Sequence, residues 1–229
     1  MLVLAGCVQP ALAPRINAAA ARVLDRQGIS LVEVQGAGCC GAVRFHLDDQ
    51  KGGRDDMRAL IDAWWPAIEG GEVEAIVMTA SGCGSFVRDY SHHLQEDPAY
   101  REKAERISAL TKDLSEVVPD SAVQKRTGKV AFQSPCSLQH GQQIRGKAEA
   151  LLRSAGYELT QVADGHLCCG SAGTYSILQS GLSQQLRERK LQALGTGTPA
   201  VIATANIGCL THLQSGTQTP VKHWIELVE

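Results

Sequence analysis

Eight cysteines are the residues in this 229-residue chain best suited to do chemistry, and they fall into two matching quartets. Cys7, Cys39, Cys40 and Cys83 are answered by Cys136, Cys168, Cys169 and Cys209 at offsets of 129, 129, 129 and 126 residues. No cysteine lies outside this repeat. In each half 31 residues precede an adjacent Cys-Cys-Gly; 42 residues then separate Cys40 from Cys83, and 39 separate Cys169 from Cys209. A recurrence of this size implies two copies of one domain. Thiolates can ligate metal, form disulfides or exchange with them. The N-terminal run Leu2-Val3-Leu4-Ala5 has no basic segment before it and no cleavage site after it, so the chain is expected in the reducing cytosol, where clustered cysteines more often hold metal.

Four thiolates per half suit either an iron-sulfur cluster or a structural zinc ion. Zinc modules usually draw ligands from paired C-x2-C knuckles, whereas here the pair is adjacent and its companions lie dozens of residues away. Adjacent cysteines bridge each other only under strain, which argues against native disulfides within Cys39-Cys40 or Cys168-Cys169. A thiol-disulfide exchange centre at either pair stands as a further alternative and requires an exposed, acidic thiol.

The histidines do not share the repeat. His46, His140, His166 and His212 lie close to cysteines, and His212 has C-x2-H spacing from Cys209, but none has a counterpart at the same offset. They read as residues supporting the sulfurs or lying on the surface, with His212 the best ligand should the second half hold zinc. His92-His93 reads as a solvated pair. Of Trp64-Trp65, one is expected in the core and the other at an interface.

The elements around the cysteines follow one order twice. Leu2–Ala5 reads as a strand ending near Cys7; a helix from Ile16 closes at Gly28; Ile29–Val34 is a strand leading to Cys39-Cys40-Gly41; a helix over Asp55–Ile68 and a strand over Ala75–Thr79 lead to Cys83. In the second half, Lys129–Phe132, a helix from Ile144 to Ala155, Glu158–Ala163, a helix over Ser183–Leu194 and Pro199–Ala205 lead in turn to Cys136, Cys168-Cys169 and Cys209. The expected fold is α/β, two pseudo-symmetric Rossmann-like halves, each with a small, mostly parallel sheet. Every cysteine is then placed at the carboxyl edge of a sheet, just past a strand and just before a helix. Small residues such as Gly41-Ala42 and Gly170-Ser171-Ala172-Gly173 leave room there for an anionic cluster to meet backbone N–H groups.

A helix from Pro98, capped by Asp97, is expected in the first half only. Leu114–Val118 matches Trp224–Val228 as a closing helix, so the division reads as residues 1–118, a linker at 119–128 and residues 129–229. With 44% hydrophobic residues each half can build a core. A net charge of -2 provides no basic stripe for nucleic acid, and no apolar run approaches a membrane span. Gly36-Ala37-Gly38 leads into cysteines instead of opening a dinucleotide-binding helix, so no hydride acceptor is expected on this chain.

Phrases carried across both halves make the chain resemble a known family. They include Gly6-Cys7-Val8-Gln9-Pro10, Ala37-Gly38-Cys39-Cys40-Gly41-Ala42, Ser81-Gly82-Cys83, Leu167-Cys168-Cys169-Gly170-Ser171-Ala172-Gly173 and Asn206-Ile207-Gly208-Cys209. They are similar to the cysteine-rich CCG domains, duplicated in the B subunit of heterodisulfide reductase and in iron-sulfur subunits of 2-hydroxy-acid oxidases, above all the C-terminal region of the glycolate oxidase subunit. The resemblance implies electron transfer. A flavoprotein partner oxidises glycolate to glyoxylate, and the eight cysteines ligate one [4Fe-4S] cluster per half, with zinc as the alternative. It also implies peripheral association with the respiratory chain at the cytoplasmic face. Relatives with non-cubane clusters end each half in C-x2-C, where this chain has Ala80 and Asn206. Four thiolates suit a cubane or zinc better. The ferredoxin-like C-x2-C-x2-C-x3-C-P runs of the glycolate oxidase subunit are absent from this sequence.

Overall fold

Apolar runs flanked by glycine and followed by amphipathic stretches become parallel strands with helical crossovers, and the computed structural model describes all residues, 1–229. The chain divides into two units, Met1–Val117 and Val118–Glu229.

The first unit runs β1 (Leu2–Val3), α1 (Gln9–Leu12), α2 (Arg15–Asp25), β2 (Val32–Glu33), α3 (Ala42–His46), α4 (Gln50–Glu69), β3 (Ile76–Met78), α5 (Ser81–Arg88), α6 (Tyr90–His93), α7 (Arg101–Leu110), β4 (Thr111–Asp113) and α8 (Leu114–Val117). Its sheet order is β2-β1-β3-β4, all parallel. The second unit runs β5 (Lys129–Gln133), α9 (Lys147–Ala155), β6 (Glu158–Leu159), α10 (Tyr175–Leu178), α11 (Ser180–Gly195), β7 (Val201–Thr204), α12 (Ile207–Gln214), β8 (Val221–His223) and α13 (Ile225–Val228). Its order, β6-β5-β7-β8, repeats the first and is again all parallel.

The α/β duplication therefore holds, and the strands are shorter than their apolar runs. Of Ile29–Val34 only Val32 and Glu33 pair, and of Glu158–Ala163 only Glu158 and Leu159. Both are edge strands, where the chain leaves the sheet to reach the Cys-Cys-Gly turn. Helix α4 starts earlier than Asp55 because Asp49 caps it, its carboxylate accepting the N–H of Gly52 at 2.9 Å. Helix α7 starts at Arg101; Asp97 instead takes the N–H of Ala99 in the turn before it. Helices α6 and α7 have no counterpart in the second unit, which passes from α12 to β8.

Residues 119–128, set apart in sequence as a linker, bond into the second unit. Asp120–Ala122 form a 3-10 turn, Gln124 donates its N–H to Val228 O at 3.0 Å and Arg126 to Ala155 O at 2.7 Å.

The first core gathers Met57, Leu60, Ile61 and Trp64 of α4 against β1, β3, Phe86, Tyr90 and Ile107. Trp65 stays half-exposed, with the Lys103 ammonium 5.1 Å from its ring centre. The second core packs Ala131, Ile202, Leu194, Leu213 and Val221 around Cys169 and Cys209.

Candidate metal centres

In a 2-1-3-4 parallel sheet the crossovers leave β1 and β3 in opposite directions, and the crevice opens between the carboxyl ends of these two strands. Cys7 follows β1, Cys83 follows β3, and Cys39-Cys40 come on the loop from β2. Cys136, Cys209 and Cys168-Cys169 stand at the same places in the second sheet. Cys83 and Cys209 are not ahead of their helices, as the spacing implies, but are the third residues of α5 and α12. In the first turn of a helix a sulfur stays beside the unpaired N–H groups.

Each quartet is joined sulfur to sulfur. Cys39 lies 3.5 Å from Cys7 and also contacts Cys40, which contacts Cys83. In the second unit Cys136 contacts Cys168, Cys168 contacts Cys169, and Cys169 contacts Cys209. All eight thiols are free. No group of three or more His, Cys, Asp or Glu side chains closes around a point fit for a metal ion as it stands. The thiols touch one another instead, and ligation requires those contacts to open and the protons to leave.

Contact and burial set the acidities. Burial, then the contact with Cys39, raises Cys7 above the usual thiol value. Contact with Cys40, then burial, raises Cys39. Cys40 is drawn down by Cys39 but raised overall by Cys83 and by its burial. In the second unit contact with Cys168 and burial raise Cys136, and contacts with Cys168 and Cys209 raise Cys169. Cys168 is lowered, because Cys136, Cys169 and the Gly170 N–H all donate to it.

The glycine of each Cys-Cys-Gly has a steric reason. Gly41 has φ +84° and Gly170 +94°, the left-handed region. A Cβ on Gly41 would lie 2.7 Å from Gly53 O, and one on Gly170 would lie 2.4 Å from Ser183 O. Both glycines turn their N–H toward the sulfur two residues back: Gly41 to Cys39 at 3.4 Å, Gly170 to Cys168 at 3.3 Å. Buried Tyr90 fixes the first turn by donating its hydroxyl to Cys40 O at 2.6 Å.

Sequence spacing misses four residues near the sulfurs. Asn206 Nδ2 lies 3.6 Å from Cys209 Sγ; the Lys190 ammonium is buried beside the second quartet; Ser183 donates its hydroxyl to Gly170 O at 2.7 Å; and Tyr90 holds Cys40. Only Asn206 carried a signal, as the polar residue replacing the first cysteine of a C-x2-C pair. The histidines stand back from the sulfurs. His212 Nε2 meets Ser183 Oγ at 3.1 Å, and His140 Nε2 meets His166 O at 3.1 Å. His93, expected in solvent, packs on Phe45 and Phe86 with ring centres 4.5 and 5.1 Å apart.

The donor set suits a thiolate-ligated cluster: four sulfurs gathered at one edge per unit, with backbone N–H groups already aimed at sulfur. Comparison with known proteins agrees. The cysteine-rich domain family, CCG, matches residues 1–88 and again 130–214. The glycolate oxidase iron-sulfur subunit of Escherichia coli is 52% identical over 100% of this chain and 57% of its own length. A probable glycolate oxidase iron-sulfur subunit of Bacillus subtilis is 28% identical over 93% of this chain and 49% of its own. Lactate utilization protein A of Bacillus licheniformis is 24% identical over 90% of this chain and 87% of its own. The chain thus spans about half the length of the two glycolate oxidase relatives. With two matched copies covering most of the sequence, each built on the same four-stranded sheet and sulfur edge, the chain belongs to the cysteine-rich CCG domain family.

Proposed function

We propose that this chain is the electron-transfer part of an iron-sulfur subunit of a 2-hydroxy-acid oxidase, glycolate being the substrate of the complex. Cys7, Cys39, Cys40 and Cys83 ligate one [4Fe-4S] centre, and Cys136, Cys168, Cys169 and Cys209 another. The observation that carries the reading is the unbroken sulfur contact within each quartet, drawn from three separate segments to one sheet edge. The names of the relatives, glycolate oxidase iron-sulfur subunit and lactate utilization protein, support the chemistry.

When bound, the centre accepts and gives up single electrons. The chain's own residues hold it and tune it. Gly41 N and Gly170 N donate to ligand sulfurs and stabilise the added charge, while Tyr90 and Ser183 pin the two Cys-Cys-Gly turns through their carbonyls. Burial of Cys40, Cys169 and Cys209 keeps water from part of each centre. Oxidation of the hydroxy acid belongs to a flavoprotein partner, which hands electrons to this chain. No helix is long and apolar enough to cross a membrane. Peripheral placement of the complex at the inner face of the cytoplasmic membrane is an expectation of the family resemblance.

Anaerobic purification of the full chain, followed by iron, sulfide and zinc analysis with a visible spectrum, tests the reading. Iron and acid-labile sulfide with broad visible absorption are expected. Colourless protein containing zinc, or metal-free protein with a rapidly alkylated thiol, would overturn it in favour of a scaffold or a thiol-disulfide centre.

A further inference from the structure

The two quartets share geometry but not surroundings. The Cβ that Gly41 lacks would meet Gly53 O and Asp56 Cβ, and the one Gly170 lacks would meet Ser183 O and Leu186 Cβ. Gly53 and Asp56 of α4 therefore correspond to Ser183 and Leu186 of α11, at an offset of 130 residues. One turn further along, the same register pairs Leu60 with Lys190. Leu60 is 1% exposed and belongs to the first core, whereas Lys190 is 3% exposed and carries an ammonium group.

Burying a lysine is costly unless the charge is answered. Lys190 Nζ donates to Asp164 O at 3.0 Å and Gly165 O at 3.3 Å, both in the turn that leads into Cys168-Cys169. With Cys168 it lines a cavity of about 20 Å³. Desolvation lowers its pKa, and negative charge on Cys169, Cys168, Asp164 and Cys209 opposes that loss; the Asp164 carboxylate is itself paired with Arg189 at 2.9 Å.

Two further exchanges act in the same sense. The first quartet faces Asp56, whose carboxylate disfavours charge on Cys7 and is itself paired with Arg44 at 3.0 Å; the second unit has Leu186 there. At the N-cap of α12 Asn206 points an amide toward Cys209, and at the N-cap of α5 Ala80 has nothing to donate.

Adding an electron makes a thiolate-ligated centre more negative. A buried cation and an N–H aimed at sulfur stabilise that state, and a nearby carboxylate opposes it. We infer that the second quartet, through Lys190 and Asn206, holds the more easily reduced centre and is the electron sink of the chain. This deepens the iron-sulfur assignment above and rests on it. Were both centres bound, Lys190 and Asn206 would favour an added electron at the second; the change is one electron, with no bond formed or broken and no proton required. Lys190 acts as a positioning residue for charge and ligates nothing.

The test is a redox titration, followed by electron paramagnetic resonance, of the anaerobically reconstituted full chain. Cys169→Ser isolates the first centre and Cys40→Ser the second. The second is expected to have the higher midpoint potential. Lys190→Met, nearly the same size without the charge, is expected to lower that potential and leave the first unmoved. Asn206→Ala installs the side chain that the first unit carries, is expected to shift the second centre in the same direction by less, and serves if Lys190→Met does not fold. Equal or reversed potentials, or a second centre unmoved by these substitutions, would overturn the inference while leaving the cluster assignment standing. Protein that takes up no iron and sulfide would overturn both.

Discussion

Gly170 donates its backbone N–H to the sulfur of Cys168 at 3.3 Å from a left-handed conformation in which a side chain has no room. Gly170→Ala must both hold that strained backbone and displace Ser183 O, so a loss of about 2–4 kcal/mol is expected. Gly181, inside α11 with open space around it, is the control, and Gly181→Ala is expected to stabilise by about 0.5–1 kcal/mol. Urea unfolding of the two variants measures both.

Separate quartets make the sites independently removable. Cys40→Ser is expected to halve the iron content and leave the second unit's spectrum intact, and Cys169→Ser to do the reverse. Iron analysis on anaerobic samples decides the point; loss of both centres from either change would mean a single shared site.

Asp113, at the end of β4, is buried, which lifts its carboxyl from the usual 3.8 to about 6 despite the Ser115 N–H and hydroxyl donated to it at 2.9 and 2.6 Å. The folded state therefore binds this proton more tightly than the unfolded chain. The stability it contributes is complete below pH 3.8 and is lost as pH rises through about 6, on the order of 3 kcal/mol in all. Asp113→Asn keeps an acceptor for Ser115 without the charge. It is expected to raise the melting temperature at pH 8 and leave it unchanged at pH 3.5; an equal shift at both would show that Asp113 titrates normally.

The two neighbouring tryptophans have opposite fates. Trp64 is fully buried in the first core, so Trp64→Ala is expected to cost about 3–5 kcal/mol. Trp65 covers the surface beside Lys103, and Trp65→Ala is expected to cost about 1 kcal/mol or less. Denaturant midpoints of the pair separate these outcomes.

The duplication, the parallel α/β halves and the matching of the two cysteine quartets were legible in the amino-acid order. Cysteine spacing survives divergence of everything between, and a β-branched run followed by a glycine and a helical pattern admits few topologies. Tertiary structure decided what local pattern cannot encode. Strands β4 and β8 carry Lys112 and Lys222 at their centres, and only pairing with β3 and β7 makes them strands. Residues 119–128 looked like a tether until their backbone met Ala155 and Val228. His93 looked solvated on a polar helix, yet Phe45 and Phe86 arrive from elsewhere to cover it. Lys190 was hidden most completely. In a stretch as polar as Ser183–Leu194 a lysine reads as surface, and only the folding of the 164–165 turn over α11 buries its charge beside one sulfur quartet and not the other.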